Sequence, residues 1–155
     1  MKFTIKLQAN FWNTTPIIDI ILNNEQILSL NDFETDKEKV ISFEKDIHDK
    51  KNELIIQRKG KKLRDTVVSN GEIIKDSVVD VQDIIIDKIN IKPLLTKAYF
   101  YPEYPEPWLS EQKQSNNNPP EYYGFTTKLH HNGQWRLQFE SPLHVWFFQN
   151  LNISI

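Results

Sequence analysis

The stretch FTIKLQANF, residues 3 to 11, alternates without a break: Phe3, Ile5, Leu7, Ala9 and Phe11 are apolar, and every residue between them is polar. In an extended chain successive side chains point to opposite faces, so this spacing turns one face to a dry interior and the other to water. A helix would scatter the same residues around its circumference and leave no apolar stripe. The stretch therefore predicts a half-buried β-strand, and the same signature recurs along the chain.

Ile17 to Leu22 and Ile27 to Leu30 flank Asn23-Asn24-Glu25-Gln26, and because Asn tolerates the left-handed backbone of tight turns this predicts a hairpin. Lys39 to Lys45 and Glu53 to Lys59 are two further β-like segments, separated by the polar stretch Asp46 to Asn52. Thr66-Val67-Val68, then Ser69-Asn70-Gly71-Glu72, then Ile73-Ile74 predict a second hairpin on its Asn-Gly turn. From Val78 to Ile91 the chain is rich in β-branched residues, but its alternation changes phase near Asp83; one extra residue in a β-bulge produces such a slip. Phe125, Thr127, Leu129 and His131 alternate, Asn132-Gly133 turns, and Trp135, Leu137 and Phe139 alternate back, which predicts a third hairpin. Ser141-Pro142 reads as a helix N-cap with proline at the first helical position. Leu143, Val145, Trp146, Phe147, Phe148 and Leu151 would then cover one side of a short helix; an edge strand is the rival reading.

Eight or nine short strands at intervals near ten residues, joined by local turns, predict an all-β, antiparallel β-sandwich of jelly-roll type. At 155 residues with no repeat, a single domain over residues 1–155 is the expectation. The 39% of hydrophobic residues, with aromatics at 12%, are enough for a core resting on a few large side chains. Cysteine is absent, which excludes disulfides, thiolate metal sites and cysteine nucleophiles together.

The formal net charge is −2, with both signs spread along the chain, so no single-sign field draws nucleic acid or an anionic membrane. Lys59, Lys61, Lys62 and Arg64 form the densest basic run. Without stacking aromatics beside it, this run reads as a solvated hairpin end. The first residues lack the continuous apolar segment of a signal peptide and no stretch has the length of a membrane span. The expectation is a soluble protein without a signal peptide.

Residues 97 to 123 differ in kind. They hold Tyr99, Phe100, Tyr101, Tyr104, Trp108, Tyr122 and Tyr123, five prolines between residues 102 and 120, and Asn116-Asn117-Asn118. Such a density of proline predicts a long ordered loop in place of a helix or a central strand. Sugars stack their C–H faces on exposed Tyr and Trp rings and take hydrogen bonds from amides, and the same rings anchor protein interfaces. Tyr101, Tyr104, Trp108, Tyr122 and Tyr123 are therefore the candidate ligand-binding residues. Rings that simply cap the core are the competing reading.

Catalytic signatures are missing: no nucleophile elbow, P-loop or dinucleotide fingerprint is present. His48 and His144 stand alone, and the adjacent His130 and His131 would point to opposite faces of a strand. Asp32, Glu34, Asp36 and Glu38 alternate in one polar stretch but lack the glycine-containing loop of an EF-hand. Asp65 and Asp76, if they meet at one rim of the sandwich, could hold calcium through carboxylate and carbonyl oxygens; solvated rim charges are the alternative. A small hydrolase using carboxylates remains a third reading, with no motif that places its pair.

The run from Phe43 to Ile91, with NELIIQRKGK, then DT and a short hairpin, then D-x-x-V-x-V and I-x-I-D-x-I-x-I, resembles the β-sandwich of small virion-associated proteins of marine tailed phages. More distantly it is similar to calcium-dependent xylan-binding carbohydrate modules. YPEYPEPW, HHNGQW and SP-x-x-x-W resemble the phage group alone, and the likeness spans residues 40 to 151. The resemblance implies a non-catalytic structural or accessory module on a virion, or otherwise in the host cytoplasm, presenting the aromatic loop to a virion protein or a glycan. Virion components commonly form symmetric homo-oligomers. The stand-alone alternative is a calcium-assisted carbohydrate-binding module. Asp65 falls where those modules place an acidic metal ligand, but the closely packed acidic and Arg residues expected beside it are missing.

Overall fold

The structure, a computed structural model, describes residues 1–151. In chain order the strands are β1 (Lys2–Asn10), β2 (Ile17–Leu22), β3 (Glu25–Leu30), β4 (Glu38–Glu44), β5 (Lys51–Lys59), β6 (Val67–Ser69), β7 (Glu72–Lys75), β8 (Val78–Ile86), β9 (Ile89–Asn90), β10 (Tyr99–Pro102), β11 (Tyr123–Gly124), β12 (Lys128–Leu129) and β13 (Gly133–Glu140). Two short helices, α1 (Trp108–Gln114) and α2 (Leu143–Asn150), and two 3-10 turns at Leu63–Asp65 and Lys92–Lys97 complete the elements. One sheet has the order β12-β8-β1-β4 with β9 on β8, a second has β11-β10-β13-β5-β2-β3, and β6-β7 stand apart as a hairpin. Neighbouring strands run antiparallel.

The inward row of β1 sets the packing. Phe3, Ile5, Leu7 and Ala9 are wholly buried and share one core with Ile18, Ile20, Leu54, Ile56, Trp135 and Leu137 of the second sheet. Phe3 meets Phe139 of β13 edge to face, ring centroids 6.2 Å apart. Each Phe, Ile or Leu side chain of this kind contributes about 1.5–3 kcal/mol by leaving water, and the alternation makes the contribution one-sided, which is what joins two sheets into a sandwich. Trp135, also fully buried, donates its indole N–H to the Thr126 carbonyl at 2.9 Å, so its polar edge is satisfied.

The Asn23-Asn24 and Asn70-Gly71 turns form as the sequence indicates, with φ positive at both residues of each. The phase change in β8 is a bulge: Lys6 faces Asp83 and Leu7 faces Val81, leaving Gln82 unpaired. Past it, Ile84 and Ile86 return to the core. Between residues 78 and 91 there is also a turn the apolar run conceals, Asp87-Lys88, with φ of 46° and 70°, which folds β9 back on β8.

Several expectations are corrected. Residues 125 to 139 do not form a hairpin: β12 pairs with β8 in one sheet and β13 with β5 and β10 in the other. Asn132-Gly133 is the crossover, pinned because the Asn132 amide exchanges two hydrogen bonds with the Lys61 backbone, each 2.9 Å. Phe125, placed inward by the alternation, is 87% exposed with φ of 56°.

The aromatic segment is not one loop. β10 lies between β11 and β13 with Pro102 at its last position, where the ladder ends and a missing N–H is tolerated. α1 occupies the proline-free stretch that follows Pro107. It closes on Asn116 at φ 59°, with Asn116 N–H donating to the Lys113 carbonyl at 3.1 Å and Asn117 N–H to Gln112 at 2.8 Å, a Schellman ending with Asn in the left-handed place.

At the C-terminal end α2 is helical, but Pro142 is its N-cap residue and no side chain caps it. The Ser141 hydroxyl is buried without a partner. Leu143 and Trp146 turn inward, whereas Val145 and Phe148 face water. Among the described residues, no helix is long and apolar enough to cross a membrane.

Candidate functional site

Phe100 is the one aromatic of residues 99–123 that enters the core. The others lie at the surface, and extended backbone sorts them onto two sides of the sheet edge made by β10 and β11. Tyr99 and Tyr101 alternate with Phe100 and so lie on the outer face. Tyr122 joins them, its ring 5.7 Å from Tyr99 and 5.8 Å from Tyr101. Tyr123, one residue on, pairs with Phe100 and belongs to the other side, with Tyr104 and Trp108. The five candidate residues are thus two clusters: Tyr101 with Tyr122, and Tyr104 with Trp108 and Tyr123.

The second cluster borders a hollow of about 430 Å³ whose remaining wall includes Gln112 and Asn116, Asn117 and Asn118. Tyr104 organises it. Its hydroxyl donates to the Pro120 carbonyl at 2.6 Å and lies 3.1 Å from that of Tyr123. Trp108 is tilted against the Tyr104 ring at 5.5 Å, and His131 meets that ring edge-on at 5.3 Å. Burial, then the bond to Tyr123, raises the Tyr104 phenol well above its usual range. Burial, then the nearby Lys61 ammonium, pushes the His131 imidazole down to about 4. The wall of the hollow therefore offers rings, hydroxyls, carboxamides and an uncharged imidazole. Trp108 also walls a second hollow of about 360 Å³, more apolar, against Leu63, Val68, Ile73 and Pro105.

Asp65 and Asp76 come to one rim as the calcium expectation requires, but three of their four carboxylate oxygens already accept hydrogen bonds. The Asp65 carboxylate accepts from the Asn13 amide and the Lys62 N–H, both at 2.8 Å. Asp76 Oδ1 accepts from the Lys61 ammonium at 2.7 Å and from Thr66 and the Ser77 N–H at 2.8 Å. Burial alone would raise both carboxyls; these donors hold them below the ordinary aspartate value. Arg58, 1% exposed on the inner face of β5, donates to the Ser77 and Leu129 carbonyls at 2.8 and 2.7 Å. Burial lowers its guanidinium to about 10, against the pull of Asp76 and Asp65. The Lys61 ammonium thus already sits on Asp76, the buried Arg58 adds a second positive charge nearby, and an incoming calcium would meet the Lys61 ammonium. The residues present do not fit calcium.

Elsewhere Glu34 pairs with Lys37, Asp32 with Lys39 and Asp19 with Lys59. His130 is exposed, 3.9 Å from Asp76, and His131 lies on the opposite side with Tyr104. Sequence reasoning missed Tyr99 and Arg136. Arg136 is stacked on Tyr101 at 4.4 Å, and its position two residues after Gln134 on β13 was the available signal. It missed Arg58 too, although the period-2 row Leu54, Ile56, Arg58 points to it.

No protein-family model matches the chain, and no curated protein matches it. Two solved structures are similar in fold. One is vCBM60 in complex with galactobiose, at 11% identity and a TM-score of 0.51, covering 88% of this chain and 96% of that one. The other is a selenomethionine form of vCBM60, described as part of a link by circular permutation between two families of calcium-dependent carbohydrate-binding modules, at 11% identity, a TM-score of 0.50 and 87% coverage of each chain. At this identity the likeness establishes the β-sandwich, in agreement with the alternation of the strands.

Proposed function

We propose that this chain is a non-catalytic glycan-binding module whose sugar contact is the hollow between Trp108, Tyr104, Tyr123 and the carboxamides of Gln112 and Asn116–Asn118. The observation that carries the reading is the chemistry of that wall: aromatic faces beside neutral donors and acceptors, the combination that takes a sugar's C–H face and its hydroxyls together. The sandwich shared with vCBM60 supports it. The module works without calcium, because Lys61 and Arg58 already neutralise the two rim carboxylates. Its setting is a virion, on the strength of the YPEYPEPW, HNGQW and SP-x-x-x-W resemblance.

A glycan array tests this directly. Retention of the parent protein and its loss in Trp108→Ala, with the melting midpoint changed by less than about 3 °C (~1 kcal/mol), is the expected result. Failure of the folded parent protein to retain any neutral glycan would remove the reading. The more apolar hollow over Leu63, Val68 and Ile73, which are all more than half exposed, favours a second reading, docking on another virion protein. Under that reading Ile73→Lys abolishes incorporation into particles, whereas Trp108→Ala on the glycan array has no bearing on it.

A further inference from the structure

On the outer face of the six-stranded sheet, away from the hollow just described, one arginine is held in a fixed pose with no counter-charge among the described residues. Arg136 is half-buried on β13, in register with Tyr99 on one side and the buried Ile55 on the other. Its Nε and Nη2 both donate to Gln134 Oε1, at 2.9 and 2.7 Å. Gln134 is itself anchored, its amide donating to Gln57 Oε1 at 3.2 Å. One face of the guanidinium lies on the Tyr101 ring at 4.4 Å, and Tyr101 is backed by Tyr122, which packs on Tyr99. The side of the guanidinium formed by Nε and Nη2 is thereby taken. Its end, Nη1 with the second hydrogen of Nη2, has no acceptor among the described residues, and no carboxylate of those residues lies within ion-pair distance of it.

A guanidinium presents parallel N–H donors that match the two oxygens of a carboxylate. Ordering such a group normally costs side-chain entropy at the moment of binding; here Gln134, Gln57 and Tyr101 have met that cost in the folded protein. Tyr99 stands opposite Arg136 across the strand pair, and Tyr122 packs on both Tyr99 and the Tyr101 ring that carries the guanidinium; the two are 49% and 53% exposed. We infer that this face binds a saccharide bearing a carboxylate, a uronic acid residue, with the carboxylate on the Arg136 fork and the sugar ring against Tyr99 and Tyr122. The site shares with the Trp108 hollow only the general class of ligand.

Isothermal titration with tri-galacturonate and with its neutral counterpart galactotriose tests it. The parent protein should bind the acidic trimer at least about tenfold more tightly than the neutral one, with the difference shrinking as salt rises. Arg136→Gln should erase that preference. Arg136→Lys should restore only part of it, because an ammonium cannot make the paired contact. Tyr99→Ala should weaken the acidic trimer without touching the salt dependence. Trp108→Ala should leave the acidic preference intact while losing the neutral glycan, so that the two proposals fail separately. Equal affinity for the two trimers, an Arg136→Gln variant of unchanged melting midpoint that keeps the preference, or displacement of the trimer by a glutamate-rich peptide at equal concentration would each overturn the assignment.

Discussion

Lys61 is the residue on which the rim turns. Its side chain is 10% exposed and its ammonium sits on Asp76, itself 21% exposed, so removing it leaves a carboxylate with little water to answer its charge. Breaking a fully buried pair from one side costs about 3–5 kcal/mol; with water reaching Asp76, Lys61→Met should cost roughly 2–3 kcal/mol. Asp76→Asn in the same chain should recover part of that loss, and a double-mutant cycle by denaturant melting measures it. A Lys61→Met variant as stable as the parent would show that the pair is merely a surface contact. In the sequence this lysine belonged to a basic run that read as solvated. Position along the chain carries no information about burial at a crossover. Its neighbour Arg58 was more legible, since the period of β5 puts it on the row of Leu54 and Ile56; a charge on an apolar row marks either an error of register or a buried network, and here it is the network.

At the scale of elements, alternation identified strands well and partners poorly. The β8 bulge shows the strength of the pattern. Deleting Gln82 brings Val79, Val81, Ile84 and Ile86 into one uninterrupted period of two, so the variant should fold with a melting midpoint within about 3 °C of the parent, ~1 kcal/mol in a chain of this size. Deleting Asp80 instead leaves Val81 and Gln82 on the wrong faces and should unfold the domain; equal effects of the two deletions would contradict the register. The supposed hairpin at Asn132-Gly133 shows the weakness. An Asn-Gly pair specifies a reversal of direction, and two strands that reverse can enter the same sheet or opposite ones. Here the tie between Asn132 and Lys61 decides, and Gly133 confirms it: at φ 144°, a Cβ there would lie 2.2 Å from the Tyr101 carbonyl oxygen. Gly133→Ala should therefore cost roughly 2–4 kcal/mol, read as a lowered midpoint, although no side-chain contact is lost. The division of the aromatic residues into two clusters has the same origin. Tyr122 and Tyr123 are neighbours in sequence and therefore opposites across an extended strand, a distinction invisible until β11 is known to pair with β10.

For the molecule as a whole, the engagement of the rim carboxylates by the chain's own donors and the depressed ionisations make a joint prediction about acid. The His131 imidazole titrates near 4 in the folded protein against 6.5 in an unperturbed histidine. As pH falls between those values the unfolded chain takes up a proton that the folded one refuses, so stability declines over that window and this group adds no further loss below about pH 4. Asp65 and Asp76 are held below 3.8. The stability they confer is complete above the ordinary aspartate value and is lost as pH falls through their lowered ones. Melting midpoints measured from pH 8 to pH 3 should thus begin to fall near pH 6.5 and go on falling below pH 4. His131→Gln should flatten the upper part of that curve and leave the lower part in place. A chelator should move no point on it, since a ligand held only by the folded state would have raised the midpoint by mass action. A midpoint that stays level from pH 6.5 to 4.5 would mean that the His131 imidazole is not held neutral by burial beside Tyr104, whereas one that drops when chelator is added at neutral pH would mean that the charges at the rim of Asp65 and Asp76 are balanced by something other than Arg58 and Lys61, and with that the calcium-free module would have to be given up.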